Sequence, residues 1–201
     1  MFEREETKVP GVWIVKPRVF RDPRGFFAET YRADQFADIG ITDGFVQDNH
    51  SQSRKGTLRG LHYQLRRPQA KLCRVVRGSV LDVAVDIRRG SPTFGKSVSV
   101  ELSAENRQQI YVPVGFAHGF VVLSEEAEFL YKCSDFYDPG GEYGVLWSDP
   151  ALEIEWKITE PVLSEKDSRY PKLSEIPPEL LPIFHPVARK SSAPGTSDEP
   201  A

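Results

Sequence analysis

Residues 79–87 read SVLDVAVDI, and no other run constrains the fold as tightly. Leu81, Val83, Val85 and Ile87 stand at every second position, with Asp82, Ala84 and Asp86 between them. Side chains alternate between the two faces of a strand but return every 3.6 residues on a helix. The run is therefore a strand, and an all-helical chain is excluded.

The remaining segments agree. GVWIVKPRVF (11–20) reads as a strand that Pro17 sends to a sheet edge or a bend, because proline cannot donate to a ladder. RDPRG (21–25) is a turn leading into FFAETY (26–31). ADQFADIG (33–40) has the length of one short helix, with Asp34 as its cap and Gly40 as its stop. FVQDNHSQS, TLRGLHYQL, AKLCRVV, SVSVEL, QQIYVPV, GFVVL and EFLYKCS continue the extended pattern. A last strand is expected in VLWSD or LEIEWKI, and one or two helical turns in KLSEIPPELLPIF. Many short strands punctuated by Gly and Pro indicate an all-β sandwich or barrel. Such a fold has a mouth on which side chains from separate strands converge.

Composition narrows the function. With 26 Lys and Arg against 29 Asp and Glu, the formal charge is −3 and the basic residues are scattered. That argues against a nucleic-acid partner, though a small anion needs only two or three well-placed cations. MFEREETKVP is charged where a signal peptide requires an apolar run, and no segment reaches transmembrane length. Cys73 and Cys133 are the only cysteines, too few for a disulfide framework. These features give the expectation of a cytoplasmic protein without a membrane partner.

The chemistry gathers around LRGLHYQL (58–65) and VPVGFAHGF (112–120). The spacing from Pro113 through Gly115 to His118 resembles a cupin motif whose histidine often binds metal. Here His62 is followed by Gln64 rather than a second His, and four histidines in all leave the ligand set incomplete, so no metal is expected. A proton-transfer site fits better, because imidazole exchanges protons near neutral pH. His62 needs an orienting carboxylate, and both Asp167 and Asp82 are available. Tyr131 offers a proton donor, although a lone strand tyrosine also serves as core or rim. Lys71 interrupts an apolar strand, either to reach solvent or to stabilise a developing negative oxygen. Arg24 and Arg59 suit bidentate contacts to phosphate, with ordinary surface pairing as the rival. Glu29, Gln47 and Asn49 offer hydrogen bonds to a sugar or base.

Together the motifs are more specific. FRDPRGFFAETY (20–31), DNHSQSRKGTLRGLHYQ (48–64), QAKLCRVVRGSVLDVAVDIRRGSPTFGK (69–96), YVPVGFAHGFVVLS (111–124), FLYKCSDFY (129–137), WSDPALEIEW (147–156) and PVLSEKDSRYP (161–171) follow one another in a recognisable order. In that order the chain resembles the dTDP-4-dehydrorhamnose 3,5-epimerase family over roughly residues 3–185. The resemblance implies an all-β, cupin-like double-stranded β-helix (jelly roll) with short peripheral helices. One epimerase domain is expected over 1–188, followed by a disordered polar tail at 189–201. It further implies a homodimer acting on a dTDP-4-keto-6-deoxy sugar without cofactor, in dTDP-L-rhamnose biosynthesis. By motif, His62 is similar to the family's base, Asp167 to its partner carboxylate and Tyr131 to the acid. Lys71 falls beside the enolate, with His118 and Asp82 as a supporting pair. Arg24, Glu29, Gln47, Asn49 and Arg59 match ligand-contacting positions. Glu142 is kept in GGEYGVLW, a loop that otherwise departs from the family pattern, as does Lys157 in EWKI. The rival expectations are an epimerase acting at C3 or C5 alone and a non-catalytic nucleotide-sugar-binding protein.

Overall fold

A computed structural model describes residues 2–186. Among these, the strands in chain order are β1 (Phe2–Glu6), β2 (Trp13–Pro17), β3 (Val19–Asp22), β4 (Gly25–Ala28), β5 (Gln47–Arg54), β6 (Leu58–Gln64) and β7 (Lys71–Arg77). They continue with β8 (Ser79–Asp86), β9 (Ser97–Ser103), β10 (Gln109–Val112), β11 (Phe116–Val122), β12 (Glu126–Cys133) and β13 (Glu142–Gly144). A single helical segment longer than one turn, α1 (Ala33–Asp38), follows β4. The expected tail at 189–201 lies outside the described residues.

Two antiparallel sheets carry the fold. One has the order β1-β2-β10-β7-β12-β5 and the other β13-β6-β11-β8-β9. β3 and β4 form a separate hairpin. This is the cupin-like jelly roll expected from the sequence.

The period-two run forms β8, but neither of its faces meets water. Val80 and Ala84 join Cys73, Val75, Phe120 and Phe129 in the core between the sheets. Leu81, Val83, Val85 and Ile87 face the other way, onto Leu152, Trp156, Leu173, Ile176 and Leu181. The segment after β13 therefore acts as a cover for the smaller sheet. This corrects the expectation of a strand in VLWSD or LEIEWKI. Apart from a short 3-10 turn at Pro150–Leu152, these residues are irregular, because their apolar side chains dock on a sheet instead of extending it. Asp149 ties the cover together, accepting hydrogen bonds from Ala151 N at 3.0 Å and Leu173 N at 2.8 Å. The expected C-terminal turns are 3-10 turns at Leu173–Glu175 and Pro178–Leu180.

A third apolar cluster sits on the outer face of the larger sheet, where Phe36 of α1 packs with Phe2, Val15, Leu72 and Tyr111. Asp34 is not the helix cap. Arg32 occupies that position without a side-chain cap, and Asp34 lies in the first turn, paired with Arg32. Gly40 does stop the helix, with φ +92° and its N–H donating to Ala37 O at 2.9 Å. Pro17 marks a bend, since β2 ends there and β3 begins two residues later. Strand β1 was not foreseen, because FEREE carries four charges and only Phe2 is buried.

Two close approaches align the strands that carry the histidines. A Cβ on Gly60 would lie 2.6 Å from Gly119 Cα, and one on Gly119 would lie 2.6 Å from Arg59 O. With glycine at both positions β6 and β11 pair so that His62 stands opposite His118. Below them Asp86, fully buried, accepts hydrogen bonds from Ser91 Oγ (2.6 Å), Thr93 Oγ1 (2.7 Å) and the Arg88 guanidinium (2.7 Å), which closes the β8–β9 connection.

Candidate active site

A cavity of about 460 Å³ opens between the two sheets. Strand alternation accounts for most of its lining. On β5, Gln47, Asn49 and Ser51 point inward at every second residue, as do Phe129, Tyr131 and Cys133 on β12. Lys71 enters from β7, Arg59 and His62 from β6, and His118 from β11.

His62 and Asp167 are 105 residues apart in the chain and meet with Nε2 2.6 Å from Oδ1. Asp167 is buried, and its backbone N–H is held by Ser164 Oγ at 3.1 Å. Burial raises the Asp167 pKa, but the hydrogen bond and charge of His62, with help from Ser164 and the Gly60 backbone, hold it below the ordinary carboxylate value. Asp167 therefore stays ionised at neutral pH. The Tyr170 ring meets the His62 ring edge-on at 5.6 Å. That ring fits because residue 144 lacks a side chain, as a Cβ there would lie 2.4 Å from it.

The second carboxylate, Asp82, takes the second cavity histidine. His118 Nε2 lies 2.9 and 3.0 Å from its two oxygens, and both residues are buried. The residue types alone left the pairing open, the family resemblance implied it, and in the fold Asp167 lies on His62 and Asp82 on His118.

Tyr131 is held in its neutral, protonated form by its surroundings. Burial, followed by Cys133, Cys73 and Glu142, pushes its pKa up to about 12 against the opposing charge of Arg59. Lys71 Nζ lies 6.0 Å from the centre of the Tyr131 ring. Among the described residues neither Lys71 nor Arg59 forms a salt bridge, so the cavity holds two cations without carboxylate partners. Arg59 is braced by Ser53 Oγ at 3.1 Å.

At the mouth, Glu142 accepts hydrogen bonds from Tyr137 (3.1 Å) and Lys166. Gln47 joins the rim to the wall, accepting from Tyr137 N at 2.9 Å and donating to Asn49 at 3.1 Å. Tyr137, Lys166, Ser51 and Gln64 line the cavity without having been singled out in the sequence. Gln64 carried a usable signal, since it stands two residues after His62 and so shares its face of the strand. Arg24 and Glu29 are not brought to this cavity. Arg24 sits at the tip of the β3–β4 hairpin, 90% exposed and paired with Asp22 at 2.6 Å, and Glu29 follows β4.

An ionised carboxylate fixing an imidazole, a neutral phenol and an unpaired ammonium around one cavity can move a proton on and off carbon beside a carbonyl. The family model described as dTDP-4-dehydrorhamnose 3,5-epimerase matches residues 6–175. A dTDP-4-dehydrorhamnose 3,5-epimerase of Shigella flexneri is 57% identical over 164 residues, covering 81% of this chain and 91% of that protein. The crystal structure of a dTDP-6-deoxy-D-glucose-3,5-epimerase from Legionella pneumophila, in complex with dTDP-4-keto-L-rhamnose, is 48% identical with a TM-score of 0.91, covering 92% of this chain and all of that one. A 3'-monoepimerase from Streptomyces bikiniensis, solved with dTDP-quinovose, is 36% identical with a TM-score of 0.81, covering 88% of this chain and 91% of that one.

Proposed function

The chain belongs to the dTDP-4-dehydrorhamnose 3,5-epimerase family, and from that premise we propose how its residues invert C3 and C5 of dTDP-4-dehydro-6-deoxy-D-glucose to give dTDP-4-dehydro-L-rhamnose. The carrying observation is the convergence of the His62–Asp167 pair, Tyr131 and Lys71 on one cavity.

The C4 ketone acidifies the hydrogens on both neighbouring carbons, because the electron pair left behind delocalises onto oxygen as an enolate. His62 removes the proton through the ring nitrogen that does not face Asp167, and the carboxylate stabilises the imidazolium that forms. The Lys71 ammonium stabilises the enolate oxygen. Tyr131 returns a proton to the opposite face, which inverts the carbon, and each phenolate or imidazolium then re-equilibrates with solvent. His118, held by Asp82, lines the floor of the sugar site as a supporting donor. Arg59 takes the diphosphate, while Gln47, Asn49 and Glu142 hold the rest of the nucleotide sugar at the mouth.

Inversion at both carbons, in preference to one, is tested with the wild-type enzyme and the 4-keto substrate in D2O. Deuterium entering C3 and C5 with formation of the L-lyxo product is the expected NMR result. Exchange at one carbon would make the chain a monoepimerase, a reaction carried by the similar Streptomyces scaffold. Exchange at neither would leave only binding.

The working unit is a homodimer. Phe20, Phe26 and Phe27 are 50%, 56% and 68% exposed on the β3–β4 hairpin, an apolar surface suited to cover by a second copy. Arg24 and Glu29 belong to the same region. In a dimer this hairpin reaches the neighbouring protomer's cavity, which reconciles their family role with their distance from their own. Light scattering over a concentration series should give twice the chain mass, and a monomer throughout would refute the pairing. The two cysteines are free and buried, in keeping with work in the reducing cytoplasm.

A further inference from the structure

Cys73, Asp82 and His118 come from β7, β8 and β11, and their ligand atoms all lie within 4.8 Å of one another, buried between the two sheets. Cys73 Sγ is 3.8 Å from His118 Nε2, which is 2.9 and 3.0 Å from the Asp82 oxygens. The proposed epimerisation uses the His–Asp pair but has no task for the thiol. We infer that these three side chains form a binding site for one borderline-soft divalent cation of the Zn²⁺ class, and that filling it inhibits the enzyme.

The ligand chemistry fits that class. Zinc takes thiolate, imidazole and carboxylate together, with bonds of about 2.3 Å to sulfur and about 2.0–2.1 Å to nitrogen or oxygen. Donors on a tetrahedral ion then stand about 3.3–3.6 Å apart, by the same bond lengths. The imidazole stands 3.8 Å from the thiol and 2.9 Å from the carboxylate, on either side of this spacing, and the thiol and carboxylate lie within 4.8 Å of each other, so small side-chain shifts let the ion enter. On binding, the thiol proton leaves to solvent and the imidazole proton moves to Nδ1, freeing the Nε2 lone pair. His118 lines the sugar cavity, which gives the ion a route in and leaves its fourth position for water or a ligand oxygen. The Lys71 ammonium, two residues from Cys73 on the same strand face, opposes the cation and limits its affinity. Inhibition follows because the ion takes both His118 Nε2 and the Asp82 carboxylate, which breaks the His–Asp pair supporting the sugar site, and because its fourth ligand occupies space in the cavity that His118 lines. That half of the inference rests on the proposed epimerisation, whereas binding does not.

The test is titration of the metal-stripped full chain with Co²⁺, read by absorbance. One equivalent should give a thiolate-to-cobalt charge-transfer band in the near ultraviolet and intense visible d–d bands, both removed by Zn²⁺. Cys73→Val, and Cys73→Ser as a second variant that keeps the size of the side chain, should lose the charge-transfer band, and Cys133→Ala should keep it. In turnover assays both Cys73 variants should match the wild type without metal. They should require more than about 100-fold more zinc for half-inhibition, beyond the effect of losing an outer-shell partner. A band absent at saturating Co²⁺, or retained without Cys73, would overturn the site. Equal zinc sensitivity of wild type and Cys73→Val would overturn the inhibition. A protein that binds Co²⁺ through Cys73 but has no turnover refutes the epimerase reading and leaves the site standing.

Discussion

Replacing His62 with alanine lowers kcat about 10²–10⁴-fold, the span expected for loss of a positioned general base, and stops deuterium uptake from D2O at both C3 and C5. Both effects follow from the same geometry. Asp167 lies 2.6 Å from one nitrogen of the ring and is held ionised by it, so the pair is set to receive a proton and to stabilise the resulting charge. Without the imidazole, Asp167 is a buried carboxylate that has lost its hydrogen-bond partner, and water in the place of the ring is a weak base at neutral pH. Substrate affinity should change much less, since Arg59, Gln47 and Asn49 are untouched. Binding of dTDP measured on the same sample separates this outcome from a folding defect, which would abolish binding as well. Near-normal turnover would remove His62 from the base role.

Tyr131→Phe has an equally large effect on turnover, about 10²–10⁴-fold, with a different signature. The variant keeps the ring that packs beside Phe129 and loses only the hydroxyl. His62 still takes the proton and can give it back to the same face, so substrate continues to exchange hydrogen while inversion fails. The ratio of deuterium uptake to product should rise by the factor that turnover falls. A phenol pushed up to about 12 by burial keeps its proton through neutral pH, so this donor is ready without a prior ionisation step. Equal loss of exchange and inversion would show that the hydroxyl shapes the site instead of supplying the proton.

The legible and the hidden parts of this chain divide along physical lines. Period-two patterning identified β8 because alternation depends only on local strand geometry. The fate of residues 145–160 was hidden because an apolar segment docking on a sheet has the composition of a strand joining one. Strand β1 was hidden for the opposite reason, since an edge strand facing water can be almost wholly charged. At the site, the residue types were legible from local pattern, and the pairing only through the family resemblance. Whether His62 took Asp82 or Asp167 depends on the register of β6 against β11 and on where the C-terminal cover lands. Arg24 and Glu29 matched family positions through sequence order alone, and order does not tell which copy's cavity a side chain serves.

The cover of the smaller sheet also carries Asp167, and this bears on the birth of the enzyme. A nascent chain leaving the ribosome displays β6 and its histidine long before the aspartate has been translated, for 105 residues separate the two. Until the segment around Asp167 has emerged and wrapped back, the imidazole has no counter-charge, so a polypeptide that stops short of it is expected to be catalytically silent. Competence arrives all at once, when that segment docks.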